Sequence, residues 1–193
     1  MSSQILIHKI TDSTPKNQFI IDNTSSNLVD KEIEHILSNA YDCVEDGEFD
    51  EALKLYNFVL KQDPHNIDAL VDKGVTLQNM GRMKLAIRTY DKALAVSPNN
   101  IDVLLNKGAA LHSNQKYSEA IKCYDTVLSI DKKCAMALAY KGLSLGEMNQ
   151  LPDAIKHFKK ALSIDQHYEL ANISKDIAQE LLKSIKEKKS KTP

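Results

Sequence analysis

Apolar residues recur along most of this chain at steps of three and four, with polar residues between them. Over residues 67–100, Ala69, Leu70, Gly74 and Leu77 share one face, with Lys73 beside them, and then Ala86, Ile87, Tyr90, Ala93 and Leu94 share another. That spacing matches the turn of an α-helix and not the alternation of a strand. Met80-Gly81 interrupts the first stretch and Pro98 stops the second, so two short helices joined by a tight turn are predicted. Asn66 and Asn100 stand where N-caps are needed. Pro152 falls at the start of a second helix, where its missing N–H costs nothing.

The same pattern returns with a period of 34 residues. Lys73-Gly74, Lys107-Gly108 and Lys141-Gly142 form one column. Tyr56, Tyr90, Tyr124 and Phe158 form a second. Ala52, Ala86, Ala120 and Ala154 form a third, and Val59, Ala93, Val127 and Ala161 a fourth. The units run 33–66, 67–100, 101–134 and 135–168. Two helices that cross closely need small residues at the crossing, which Ala40, Gly74, Gly108 and Gly142 supply, and the aromatic column fills the space between neighbouring hairpins. One hairpin cannot bury its apolar face, so stability is expected from stacking.

With those columns in place the chain resembles the tetratricopeptide repeat (TPR) family. Unit two carries Leu70, Gly74, Ala86, Tyr90, Ala93 and Pro98 of its pattern; unit three carries Leu104, Gly108, Tyr117, Ala120 and Tyr124; unit four carries Leu138, Gly142, Ala154, Phe158 and Ala161. Unit one is the weakest, with Ile36, Ala40, Phe49, Ala52, Tyr56 and Pro64. Lysine replaces the usual leucine before each glycine, and Lys132 and Gln166 replace the terminal proline. The resemblance implies an all-α, superhelical α-solenoid of four hairpins, its concave face lined by the first helix of each unit. Residues 169–185, with Leu170, Ile173, Ile177, Leu181 and Ile185 on one face, are read as a capping helix, and 186–193 as a basic tail. Residues 1–32 do not fit the repeat. Their Ser, Thr, Asn and Asp content reads as a polar, largely disordered segment with two short apolar runs, Ile5 to Ile7 and Phe19 to Ile21.

Composition narrows the function classes. A formal net charge of −1 gives no overall pull toward nucleic acid or membrane. No apolar run approaches the roughly 20 residues needed to span a bilayer, and the N-terminus lacks the pattern of a signal peptide. Three cysteines without a Cys-x-x-Cys pair suit reduced thiols in the cytoplasm. No phosphate loop, zinc-protease helix or nucleophile elbow appears, so no enzyme and no cofactor are expected. Cys123, Cys134 and His157 fall on different elements of the repeat, which argues against a metal site. The short lysine-rich tail lacks interleaved aromatics, so no nucleic-acid partner is expected.

The resemblance places partner-binding positions on the first helices. The fifth and ninth places of the units hold Leu37 and Tyr41, Val71 and Val75, Leu105 and Ala109, then Ala139 and Leu143, an apolar stripe suited to a partner segment. Packing between adjacent first helices is the competing explanation. Glu34, Asp68 and Asp102 form a rim that favours a basic partner, or simply suit the first helical turn. The positions that grip a chaperone's C-terminal carboxylate in similar proteins hold Leu37, Tyr41, Asp72, Asp102 and Asn106 here, which argues against such a tail. Lys73, Lys107 and Lys141 read as a solvated ladder. The sequence therefore points to an adaptor that binds a protein segment in its groove. Two further possibilities are a self-associating scaffold and occupation of the groove by residues 1–32.

Overall fold

The computed structural model describes residues 16–190, with side-chain environments over residues 30–187. Among the described residues the chain is helical throughout: α1 (Lys16–Glu45), α2 (Phe49–Gln62), α3 (Ile67–Asn79), α4 (Met83–Val96), α5 (Ile101–Ser113), α6 (Tyr117–Ile130), α7 (Ala135–Glu147), α8 (Leu151–Ile164) and α9 (Glu169–Ser190). Each odd-numbered helix up to α7 pairs with the next to make a hairpin. Each second helix then packs on the first helix of the following unit, and α1, α3, α5, α7 and α9 touch in succession. Among the described residues, contacts run between neighbours along the stack, as in a solenoid.

The turns explain why hairpins form. In the first, Glu48 N–H donates to Cys43 C=O (2.7 Å) and Gly47 N–H to Val44 C=O (3.1 Å); the other three turns repeat the arrangement with Arg82 to Leu77, Lys116 to Leu111 and Gln150 to Leu145. This closure needs a left-handed residue after the helix. Gly47 and Gly81 supply it freely, whereas Gln115 (φ 61) and Asn149 (φ 60) adopt it with a side chain. At the start of the next unit, Asn66 Oδ1 accepts from Ala69 N–H and Asn100 Oδ1 from Val103 N–H, so both predicted N-caps are formed.

The core follows the repeat columns. Tyr56, Tyr90, Tyr124 and Phe158 are buried, and the two alanine and valine columns of the second helices have no exposed surface. Burying each ring contributes roughly 1.5–3 kcal/mol. The glycines make this possible: a Cβ at Gly142 would stand 2.6 Å from Phe158 Cε1, and at Gly74 and Gly108 it would meet Tyr90 and Tyr124 still more closely.

Both ends of the array differ from the sequence-based expectation. Residues 16–32, expected to be largely disordered around the apolar run Phe19 to Ile21, form the first part of α1. No Gly or Pro interrupts the chain between Pro15 and Gly47, and Ser, Asn and Thr each cost a helix only a few tenths of a kcal/mol (about 0.5). Residues 16–32 thus add roughly 25 Å of helix at 1.5 Å per residue. Residues 1–15 lie outside the described residues. At the other end, α9 runs through Ser190, into the segment read as a tail.

Candidate protein-docking face

The first helices stand side by side, and that decides how much of the predicted stripe stays open. Tyr41 is 59% exposed. Leu37, Val71 and Val75 are half-buried against the core of the first two units, and Leu143 is half-buried against that of the last. Ala109 is also half-buried. Leu105 and Ala139 are in the core, at 8% and 0% exposure, closed off by the neighbouring helices. Glu34, Asp68 and Asp102 are all exposed.

The register continues one helix further than the sequence reading took it. Ala171 and Ala178 lie under the columns Ala69–Val103–Ala137 and Thr76–Ala110–Ser144, and they are buried on the last hairpin together with half-buried Leu182 and Ile185. Ile173 and Ile177 therefore occupy the fifth and ninth places of a fifth unit, the same columns as Leu37 and Tyr41. Ile173, Ile177 and Leu181 are 52%, 60% and 47% exposed. These bulky residues were expected to make the capping contact. The small alanines make it instead, because they face the preceding second helix, and the isoleucines extend the apolar face. Extending the 34-residue register past residue 168 would have found them.

The same register shows how α9 departs from the complete units. The places that receive a second helix hold Leu70, Gly74 and Leu77, or their equivalents, in the complete units. In α9 they hold Asn172, Asp176 and Gln179, all exposed, a polar outer face of the kind terminal repeats need.

Polar groups on the face are few and mostly acidic. Asp72, half-buried, has its carboxyl held above the usual range by burial and by the nearby Asp68. No ion pair engages Asp72 among the described residues. Burial, with Asp72 adding to it, pushes the Tyr56 phenol up to about 12. Between α5 and α7, His112 Nδ1 lies 2.9 Å from Ser144 Oγ, which itself donates to Tyr140 C=O. The His112 ring meets Tyr117 edge-on at 5.2 Å. Burial lowers the His112 pKa, against a smaller opposing effect of Glu147.

The lysine ladder is structural. Lys73 donates to Asn57 Oδ1 at 2.5 Å, Lys107 pairs with Asp91 at 2.6 Å and Lys141 with Asp125 at 2.5 Å, each reaching back to the preceding hairpin. The Lys107 and Lys141 side chains are only 22% and 17% exposed, so the expected solvated ladder is corrected to a set of rungs between hairpins. The residues that receive the lysines, Asn57, Asp91 and Asp125, form a column of the same 34-residue register.

No group of three or more His, Cys, Asp or Glu among the described residues is placed to hold a metal. No helix among them is long and apolar enough to cross a membrane.

Comparison with known proteins agrees with this architecture. Residues 34–134 match the family model for the N-terminal TPR repeats region of Psidin. No curated protein matches the chain. Among solved structures, a crystal structure of MamA is 26% identical, covers 73% of this chain and 82% of its own, and superposes with a TM-score of 0.68. MamA from Desulfovibrio magneticus RS-1, from residue 41 to its end, is 23% identical over 83% of this chain and 97% of its own, with a TM-score of 0.64. A tetratricopeptide repeat protein from Parabacteroides merdae is 21% identical over 80% of this chain and 61% of its own, with a TM-score of 0.71. The family model spans more than half of the chain and falls on the hairpins that the 34-residue register defines, so this protein belongs to the tetratricopeptide repeat family.

Proposed function

We propose that this protein is an interaction module that holds an extended or helical segment of a partner protein across the face built by its first helices. TPR arrays generally serve as non-enzymatic scaffolds, and that class fits the surface described. The observation that carries the reading is the apolar side chains left open in the fifth- and ninth-place columns, Tyr41 at one end and Ile173 and Ile177 at the other. Neither end needs them for packing, and an exposed apolar row on a first-helix face suits a partner's apolar anchors. Leu37, Val71, Val75 and Leu143 provide half-buried contacts between them, while Leu105, Ala109 and Ala139 form the floor. Glu34, Asp68, Asp102 and the unpaired Asp72 favour a segment with basic residues beside its apolar anchors. Affinity of about micromolar order is expected, because ordering the segment offsets much of the burial. Three free thiols suit the cytoplasmic setting we assign to it.

The test is affinity capture followed by mapping of the bound segment, with wild type beside a Tyr41→Glu, Ile177→Glu chain. Both sites are exposed, so the variant keeps its fold, which circular dichroism verifies. Proteins held by wild type and lost from the variant support the reading. Equal capture by both moves binding off this face and overturns it.

A further inference from the structure

Charge in this chain is sorted by position, although the total is close to zero. Residues 30–63 carry ten acidic residues against three lysines. Asp42, Glu45, Asp46, Glu48, Asp50 and Glu51 crowd the turn between α1 and α2, all exposed. Only Lys54, at 2.6 Å from Glu51, and Arg82, at 3.7 Å from Asp50, offset them among the described residues. A shallow cleft opens at this turn, floored by Phe49 and Met80 and rimmed by Glu48, Asp50 and Glu51.

At the other end, residues 151–187 balance six lysines with six acidic residues, but five of the lysines gather around one pair of clefts. Lys156, Lys159, Lys160, Lys183 and Lys186 are exposed, and none is in an ion pair among the described residues. A cleft between α8 and α9 is floored by Pro152, Ile155 and Leu182 and rimmed by Lys183 and Lys186, with Glu187 its one lining carboxylate. It adjoins a second cleft, sharing Pro152 and Ile155, that carries Lys156, Lys159 and Lys160. The repeat itself departs from its pattern here. The column that accepts a lysine in the first three units, Asn57–Asp91–Asp125, becomes Lys159 in the fourth. Lys175, the next lysine of the ladder, turns instead to Asn172 (2.9 Å) and Asp176 (3.2 Å) of its own helix. The rung is replaced by cations without a shared carboxylate.

The acidic turn and the lysine-rimmed cleft lie on the same edge of the solenoid, where first helices end and second helices begin, but at opposite ends of the array. We propose that a second copy of this chain docks end to end, the acidic first turn of one copy seated against the lysine-rimmed α8–α9 cleft of the next. The two surfaces are opposite in sign, and each has apolar residues in its lining. The polar end face of α9 prevents an apolar continuation of the core, so charge at the edge provides the selectivity. Such a contact is heterologous, so copies add head to tail, as open chains or as a closed ring according to the rotation between them. It is exposed and therefore weak and salt-sensitive.

Sedimentation velocity of the full chain at rising concentration tests this, with salt at about 50 mM and about 500 mM, where the Debye length differs by roughly threefold. One variant reverses the turn (Asp46→Lys, Glu48→Lys, Glu51→Lys) and another reverses the cleft (Lys156→Glu, Lys159→Glu, Lys183→Glu). Wild type should exceed monomer mass at low salt, with at least about tenfold weaker association at high salt. Each variant alone should stay monomeric, and an equimolar mixture of the two should associate again, because the native turn meets the native cleft and the reversed turn meets the reversed cleft. Neutral versions with Asn and Gln at the same sites serve if a reversed chain fails to fold, and each of these should also lose association. Monomeric wild type at low salt overturns the proposal, as does association retained by either variant alone or a folded mixture that stays monomeric. A lysine cleft that binds heparin while the chain remains monomeric also overturns it, by assigning the cleft to another polyanion.

Discussion

Gly142 lies so close to the ring of Phe158 that a methyl group on its α-carbon would stand 2.6 Å from Cε1. The ring is 2% exposed and enclosed by the last hairpin and α9, so it cannot give way cheaply. Gly142→Ala gains about 1 kcal/mol of helix propensity and loses about 1–3 kcal/mol to overpacking. A net loss of up to about 2 kcal/mol is expected, read as a lower urea midpoint at unchanged slope. Adding Phe158→Leu should recover part of that loss in a double-mutant cycle. Additive effects of the two substitutions would show that the close approach does not set the glycine column.

The first rung of the ladder differs from the others in a way that predicts a gain. Lys73 donates to the neutral amide of Asn57, while Lys107 and Lys141 meet carboxylates. Burial lowers the Lys73 pKa, and Lys92 adds to the effect. Asn57→Asp replaces an amide oxygen by a charged acceptor of the same shape, and should raise stability by about 0.5–1 kcal/mol. The gain should shrink in high salt and disappear when Lys73→Met is present. A gain that survives Lys73→Met would place its origin elsewhere, for instance in relief of the charge on Lys92.

The hairpins and their core were legible in the sequence because the columns that make them recur in every unit. Gly74, Tyr90 and Ala93 each announce their contact three or four times over. What repeats weakly was harder to see. The column Asn57–Asp91–Asp125 changes residue type, so the lysines facing it looked solvated. α9 carries only half of a unit, so helical spacing groups Ile173 and Ile177 with Leu170, Leu181 and Ile185 on one face, and the small Ala171 and Ala178 that make the contact give little signal. Burial of Leu105 and Ala139 depends on how closely adjacent first helices approach. Spacing along one helix does not contain that quantity.

Two histidines link stability to pH. Burial holds His112 below its ordinary value of 6.5, with Glu147 opposing. Burial, Lys141 and Lys160 hold His157 below it, with Asp125 and Asp153 opposing. The folded chain therefore binds fewer protons than the unfolded chain just below pH 6.5. The contribution is fully present above that value and is lost as pH falls through the lower folded pKa values. The urea midpoint should drop between pH of about 7.5 and about 5.5, and His112→Gln with His157→Gln should flatten that drop. An unchanged slope in the double variant would assign the pH dependence to other groups.

Asp72 provides a test of the proposed docking face through its cost in stability. Its carboxyl is pushed up by burial and by Asp68, so the folded chain favours the protonated form. That preference stabilises the fold below the ordinary value of 3.8 and is lost as pH rises through the folded pKa, leaving an ionised, half-buried carboxylate at neutral pH. Asp72→Asn should therefore raise the urea midpoint at about pH 7 and give no advantage below about pH 4. A residue that costs stability on an exposed face suits a contact with a cationic partner, since function commonly opposes stability at such positions. The same substitution should then weaken binding of a basic, apolar segment by about fivefold to tenfold, the value of one exposed charge pair of about 1 kcal/mol. Greater stability with unchanged binding would remove Asp72 from the docking face and leave the charge preference to Glu34, Asp68 and Asp102.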